Sequence, residues 1–348
     1  MHTTKRDFLA AAAAGVSAWG LGALASGARA ADLTAPGKPG KGVLSHPHAS
    51  PEARRLYRYL NDIWGHRTLA GQQESIWHGS PRYELDYIQQ VSGKQPALLG
   101  LDYIDPPARA GVNQRAQAWY EAGGIATICW HWGNPLIGPG YVNSKIYFNA
   151  YDALKPGTKE NAALLRDMDE IAGFLGQLRD RKVPVLWRPF HEFTGDWFWW
   201  GKCGPEVFKA LWTLMYDRYT HAFGLDNLIW VLGYTKDVDP AWFPGRERID
   251  IIGADNYVQD RGPMADMYAA VRKITGDSVP ITLHECGPIP DPDQLTQAQA
   301  NWLYFLVWHS EFIRDGKTNP PDWIKTVYNS PRYVTLDQVP DLKTYSGA

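Results

Sequence analysis

The sequence predicts a single (β/α)8 TIM barrel. Three observations predict it. Eight short apolar runs have the length and composition of buried strands, helical stretches with one apolar stripe fill gaps between them, and no low-complexity break or second linker divides the alternation. Eight β–α alternations in roughly 300 residues match that barrel. A doubly wound open sheet is the runner-up, weakened because no Gly-rich phosphate loop follows the first run.

Taken in order, residues 1–30 read as an export signal peptide. Lys5 and Arg6 form its charged start, an Ala-rich apolar stretch runs from Phe8 to Leu24, and Ala28-Arg29-Ala30 offers a small-residue cleavage site. The order Thr4-Lys5-Arg6-Asp7-Phe8-Leu9 resembles a twin-arginine signal with Lys in place of the first Arg, so the expected location is secreted or periplasmic. The stretch is too short and too rich in Ala and Gly to span a membrane, and no span is expected in the mature form. A Pro/Gly/Lys linker covers 31–42, and one domain occupies 43–348. Ser50 and Pro51 look like an N-cap and first helical residue, leading into Leu56, Tyr59, Leu60 and Ile63 at helical spacing. The strand candidates are Thr68–Gly71, Ala97–Leu101, Ile125–Trp130, Val183–Trp187, Leu228–Leu232, Ile249–Ala254, Pro280–Leu283 and Trp302–Val307. Further helices are predicted over Thr158–Arg181, Gly204–Phe223 and Pro263–Thr275; the first carries Leu164, Met168, Ile171, Leu175 and Leu178 on one stripe.

Composition narrows the partners. A net charge of −2 without a run of Lys or Arg argues against nucleic acid and fits a neutral polymer. Sixteen Trp and eighteen Tyr exceed what a barrel core of branched aliphatics takes. Most are expected in the core, and the surplus should line a surface that stacks on flat ligands such as the C–H faces of sugar rings. Three cysteines without framework spacing argue against a disulfide scaffold, and Cys129 and Cys286 read as small buried hydrophobes.

Barrel active sites lie at the carboxyl ends of the strands. Reading those ends gives Gln72-Gln73-Glu74, Asp102-Tyr103, His131-Trp132, His191-Glu192, Tyr234, Asp255-Asn256-Tyr257, His284-Glu285 and Trp308-His309. Glu192 and Glu285 stand out, because each directly follows a His at the end of an apolar run, on the fourth and seventh strands. Those strands lie on opposite sides of a barrel mouth. Two glutamates there can flank one glycosidic bond, one carboxyl protonating the leaving oxygen while an ionised one attacks the anomeric carbon. A single Glu at such a position would read as a helix cap or a surface ion pair.

The segment WRPFHEFTGDWFWWG at 187–201 resembles the acid/base signature of glycoside hydrolase family 26, and the likeness extends over nearly the whole mature chain. GQQES at 71–75, LGLDYID at 99–105, WHWGNP at 130–135, GADNY at 253–257, LHECG at 283–287 and VTLDQVPDL at 334–342 carry it further. The resemblance implies a retaining β-glycoside hydrolase, chiefly a mannan endo-1,4-β-mannosidase acting by double displacement on a β-mannan, as a monomer with no cofactor and no metal. It implies Glu192 as acid/base and Glu285 as nucleophile. His191 should bond the sugar or the nucleophile side, Tyr257 should donate to the nucleophile, and Arg188 should brace it. His131 and Trp132 should contact the sugar at or beside the cleavage site. Trp197 should border Glu192 and keep it protonated by desolvation, and Trp308 should stack beneath the reacting ring. His284 departs from the family pattern and is read as a strand residue facing the helices, the alternative being a group that tunes Glu285.

Other readings stay open at this point. The same fold and mechanism could serve β-1,3-xylan or mixed-linkage glucan. A metal-dependent hydrolase would use His131, His191, His284 and His309, but Gly71-Gln72-Gln73 stands where such barrels commonly start a His pair. A β-glycan-binding protein would need the aromatics but not two opposed glutamates.

Overall fold

The computed structural model describes residues 42–347, so the export signal and all but the last residue of the linker lie outside the described residues. Eight parallel strands close into a barrel: β1 (Thr68–Gln73), β2 (Leu98–Asp102), β3 (Ile125–Cys129), β4 (Val185–Arg188), β5 (Leu228–Tyr234), β6 (Ile251–Asn256), β7 (Ile281–Cys286) and β8 (Tyr304–Val307). Each pairs with the next in sequence, and β1 closes the ring by pairing with both β2 and β8. These runs are buried almost throughout, as strands wedged between a barrel interior and a helical shell must be.

The helices begin where local chemistry starts them. Ser50 caps the helix Pro51–Ile63 by accepting from Ala53 N–H at 3.2 Å, and Ala53, Leu56, Tyr57 and Leu60 face inward. Thr158 caps Lys159–Asp180 in the same way through Asn161 N–H at 3.0 Å, and Leu164, Met168, Ile171, Leu175 and Leu178 form its buried stripe. Between β5 and β6 only short 3-10 turns, Pro240–Trp242 and Arg246–Arg248, replace the usual helix. A ninth strand, Tyr333–Val334, pairs with the first two residues of β1. Two residues offer too little periodicity to show in the sequence.

The barrel interior is partly polar. Arg188 on β4, Thr282 and His284 on β7, and Tyr304 on β8 are all buried there. Room for His284 comes from two glycines. A Cβ on Gly253 would lie 2.1 Å from Thr282 O, and one on Gly233 would lie 2.8 Å from His284 Nε2. Because His284 reaches Gly233 on β5, two strands from its own, its side chain points into the barrel. The expectation that it faces the helices is therefore corrected. Among the described residues the three cysteines are free, with Cys129 and Cys286 buried.

Candidate active site

Two local irregularities aim the two glutamates. After β4 the chain turns sharply, with Phe190 at φ 50° and Glu192 at φ 55°. Left-handed backbone at a non-glycine residue costs of order 1–3 kcal/mol and persists only where neighbours impose it. Here Glu192 N–H donates to Gly233 O at 2.8 Å, and Trp200 Nε1–H donates to His191 O at 2.8 Å. On the other side the β6–β7 register slips, so that Ala254 pairs with Leu283 but Asp255 pairs with Glu285. Such a bulge re-aims side chains next to a site. It lets Glu285 reach the mouth while His284 points inward.

The result is a cleft of about 590 Å³ at the carboxyl ends of the strands, lined among others by Glu192, Glu285, His131, Tyr257, Asp102 and Trp308. Oxygens of Glu192, Asp255 and Glu285 lie within 4.8 Å of one another. Their surroundings differ. Glu285 is buried, ion-paired to Arg188 Nη1 at 2.7 Å through one oxygen, and accepts from Tyr257 O–H at 2.7 Å through the other. Burial alone would lower the Arg188 pKa, but Glu285 holds it well above its ordinary value. Glu192 has no cationic partner in bonding distance among the described residues. Burial, then the charge of Glu285, push its pKa up to about 7. The pair can therefore present a protonated carboxyl opposite an ion-paired carboxylate at mildly acidic pH.

The other predicted residues fall into three places. Trp308 and His131 line the cleft, with the two rings 5.8 Å apart. Arg188 and His191 lie beneath it, fully buried; His191 Nε2 is 3.9 Å from Glu285 Oε1, on the nucleophile side rather than at the sugar surface. Trp132 lies behind the wall and does not line the cleft. It stacks on Trp130 at 4.0 Å and donates its N–H to Asp167 Oδ2 at 2.9 Å, so the expected sugar contact is corrected. Trp199 and Trp200 are likewise fully buried and form part of the core. Trp197 does border Glu192, but not as a desolvating lid. It is 38% exposed, and its indole N–H donates to Glu192 Oε2 at 2.9 Å, which favours the ionised carboxylate and pulls the pKa down.

Asp102 and Asp255 received no role from the sequence, although both sit at strand ends there. Asp102 Oδ2 accepts from His131 Nδ1–H at 2.5 Å. Asp255 Oδ1 lies 3.1 Å from His284 Nε2, and burial beside Glu285 and Glu192 raises its pKa well above the ordinary range. The signal for both was an Asp that directly follows the apolar run of its strand. Among the described residues two triads bring metal-ligand atoms within 4.8 Å, Asp102-Cys129-His131 and Glu192-Asp255-Glu285. In the first, burial pushes the Cys129 thiol well above its usual pKa, which opposes the thiolate a metal needs. In the second, Arg188 already supplies a cation to Glu285.

Comparison with known proteins agrees with this architecture. The chain is 39% identical over 313 residues to a mannan endo-1,4-β-mannosidase of Thermothelomyces thermophilus, covering 85% of this chain and 63% of that one. It is 32% identical to mannan endo-1,4-β-mannosidase A of Piromyces sp, covering 87% and 52%. This chain thus spans less than two thirds of the length of these relatives. Among solved structures, a Podospora anserina GH26-CBM35 β-(1,4)-mannanase superposes with TM-score 0.81 at 36% identity, covering 89% of this chain and 72% of that one. A β-mannanase from a symbiotic protist of the termite Reticulitermes speratus, complexed with gluco-manno-oligosaccharide, superposes with TM-score 0.80 at 31% identity, covering 88% and 100%. The profile of glycosyl hydrolase family 26 matches residues 45–338, nearly all of the barrel, and the chain belongs to that family.

Proposed function

We propose that this chain is a retaining endo-β-1,4-mannanase, with Glu192 as acid/base and Glu285 as nucleophile. The observation that carries the reading is the approach of the two carboxylates to within 4.8 Å in opposite surroundings. Retaining enzymes place their carboxyls about 5–5.5 Å apart, whereas inverting ones leave about 6.5–9.5 Å for a water. The relatives named for mannan supply the substrate class.

In the first step a Glu285 oxygen attacks the anomeric carbon while the Glu192 carboxyl gives its proton to the departing glycosidic oxygen. The bond to the leaving sugar breaks and a glycosyl ester forms on Glu285. In the second, Glu192 as carboxylate takes a proton from water, the hydroxide oxygen bonds the anomeric carbon, and Glu285 leaves as carboxylate. Arg188 and Tyr257 hold the nucleophile between the two turns. Trp308 offers a ring face in the cleft beside the reacting centre, His131 completes the wall, and His191 lies buried beneath it on the nucleophile side.

The test is proton NMR of the first products from mannan, with product sizing on galactomannan, glucomannan, β-1,3-xylan and lichenan. Initial release of the β-anomer and a ladder of manno-oligosaccharides are expected. Initial α-anomer would rule out retention, and cleavage of xylan or lichenan alone would move the substrate class. The sequence at 1–30 supports an exported protein, with the linker at 31–42 preceding the barrel domain, and we read that domain as a monomer; amino-terminal sequencing of secreted material and light scattering test those parts.

A further inference from the structure

Asp102, at the end of β2, has no part in the reaction as written. Yet its carboxylate takes both hydrogens that His131 turns toward it, the backbone N–H at 3.1 Å and the ring Nδ1–H at 2.5 Å. The other ring nitrogen of His131 faces His191 Nε2 at 3.1 Å, and that nitrogen lies 3.9 Å from Glu285 Oε1. A line of polar contacts thus crosses the mouth from β2, through the His131 and His191 rings, to the glutamate on β7. A carboxylate on Nδ1–H fixes a histidine's tautomer and ring orientation.

We propose that Asp102 is a positioning residue: it fixes the ring orientation and Nδ1–H tautomer of His131, and through His131 it acts on the charges of Glu192 and Glu285. This rests on the retaining-hydrolase reading. The groups that face His131 are Asp102 from β2, His191 and Glu192 from the turn after β4, Glu285 from β7 and His309 after β8. The Tyr141, Phe198 and Trp308 rings pack edge-on against it at 5.5, 5.4 and 5.8 Å, so it has little freedom to turn away. Burial would lower the pKa of His131, but Asp102, followed by Glu285 and Glu192, raises it above the ordinary value. The cation so maintained in turn pulls Glu192 down. Without Asp102, His131 discharges at lower pH and Glu192 keeps its proton to higher pH.

Asp102→Asn tests this. The amide carbonyl still accepts from the His131 backbone, but its N–H2 now faces Nδ1 and forces the Nε2–H tautomer. Ring-nitrogen NMR of the ligand-free enzyme should show that tautomer change and a lowered His131 pKa. On mannan oligosaccharides kcat should fall by about 10²-fold, the scale of a small misplacement in an active site, with KM little changed. The basic limb of kcat/KM should move to higher pH. In a His131→Gln background, adding Asp102→Asn should cost nothing further. If Asp102→Asn fails to fold, Asp102→Ser keeps an acceptor for the backbone N–H and carries the same readouts. An unchanged His131 titration, an unmoved basic limb, or an equal loss in the His131→Gln background would each overturn the proposal. The NMR arm needs no substrate, so a chain inactive on mannan would sink the functional reading while leaving this one readable.

Discussion

Glu192 and Trp197 form a matched pair of opposing influences. Burial and Glu285 raise the carboxyl to about 7, and the Trp197 N–H opposes them. Trp197→Phe keeps an aromatic ring, though a smaller one, but removes the donor, so the ionised form loses a bond and the basic limb of kcat/KM should move to higher pH. A limb that stays in place would mean that the 2.9 Å contact is not made in solution. The two glutamates separate by leaving group. Glu192→Ala should lose about 10²–10⁴-fold on mannan, the worth of general acid–base help, but keep fast glycosylation with an acidic aryl leaving group. A burst should follow, with azide restoring turnover as a β-glycosyl azide. Glu285→Ala should be inactive on both substrates. The reverse pattern would exchange the two roles.

At the scale of elements, β6 and β7 decide the site. Their slipped register places Asp255 against Glu285, and His284 fills space that glycines on β5 and β6 leave open. Gly253→Ala would set a methyl 2.1 Å from the Thr282 carbonyl, a backbone atom with nowhere to move. Such overpacking costs about 1–3 kcal/mol, which in a domain of this size lowers Tm by a few degrees. Activity should drop more than stability, since the strand that must yield carries Glu285. An unchanged Tm in a calorimetric scan would show that the two strands pack more loosely than described. The strand–helix alternation itself was legible, because helical stripes and apolar runs repeat along the chain. The bulge was not, because it depends on which neighbour each strand meets.

For the whole molecule, the active site sets part of the pH dependence of folding. Glu192, ordinarily near 4.3, holds its proton up to about 7 in the fold, and Asp250, buried just ahead of β6, holds its own up to about 6. Between the unfolded and folded values the native state binds more protons. Their stabilising contribution is therefore complete at low pH and is lost as pH rises through the folded values. His46 and His309, each lowered by burial to about 4, act oppositely and lose stability as pH falls toward that value. Glu192→Gln removes one rising-pH loss. Its Tm should exceed the parent's at pH 8, and the difference should close toward pH 4. Parallel melting curves across that range would show that Glu192 ionises as freely in the fold as in the unfolded chain.

The barrel, the positions of Glu192 and Glu285 beyond β4 and at the end of β7, and the Tyr257 and Arg188 partners that the family motif implies were all legible in the linear chain. Those features depend on local periodicity and on short contiguous motifs. Which tryptophans meet solvent depended on the tertiary structure, which places Trp132, Trp199 and Trp200 in the core, Trp308 at the cleft and Trp197 exposed against Glu192. It also decided that His284 points inward and that Asp102 and Asp255 join the site. The physical reason is that burial and charge pairing arise between strands distant in sequence. A residue's type fixes what it can donate or accept, but only closure of the barrel fixes what stands opposite it.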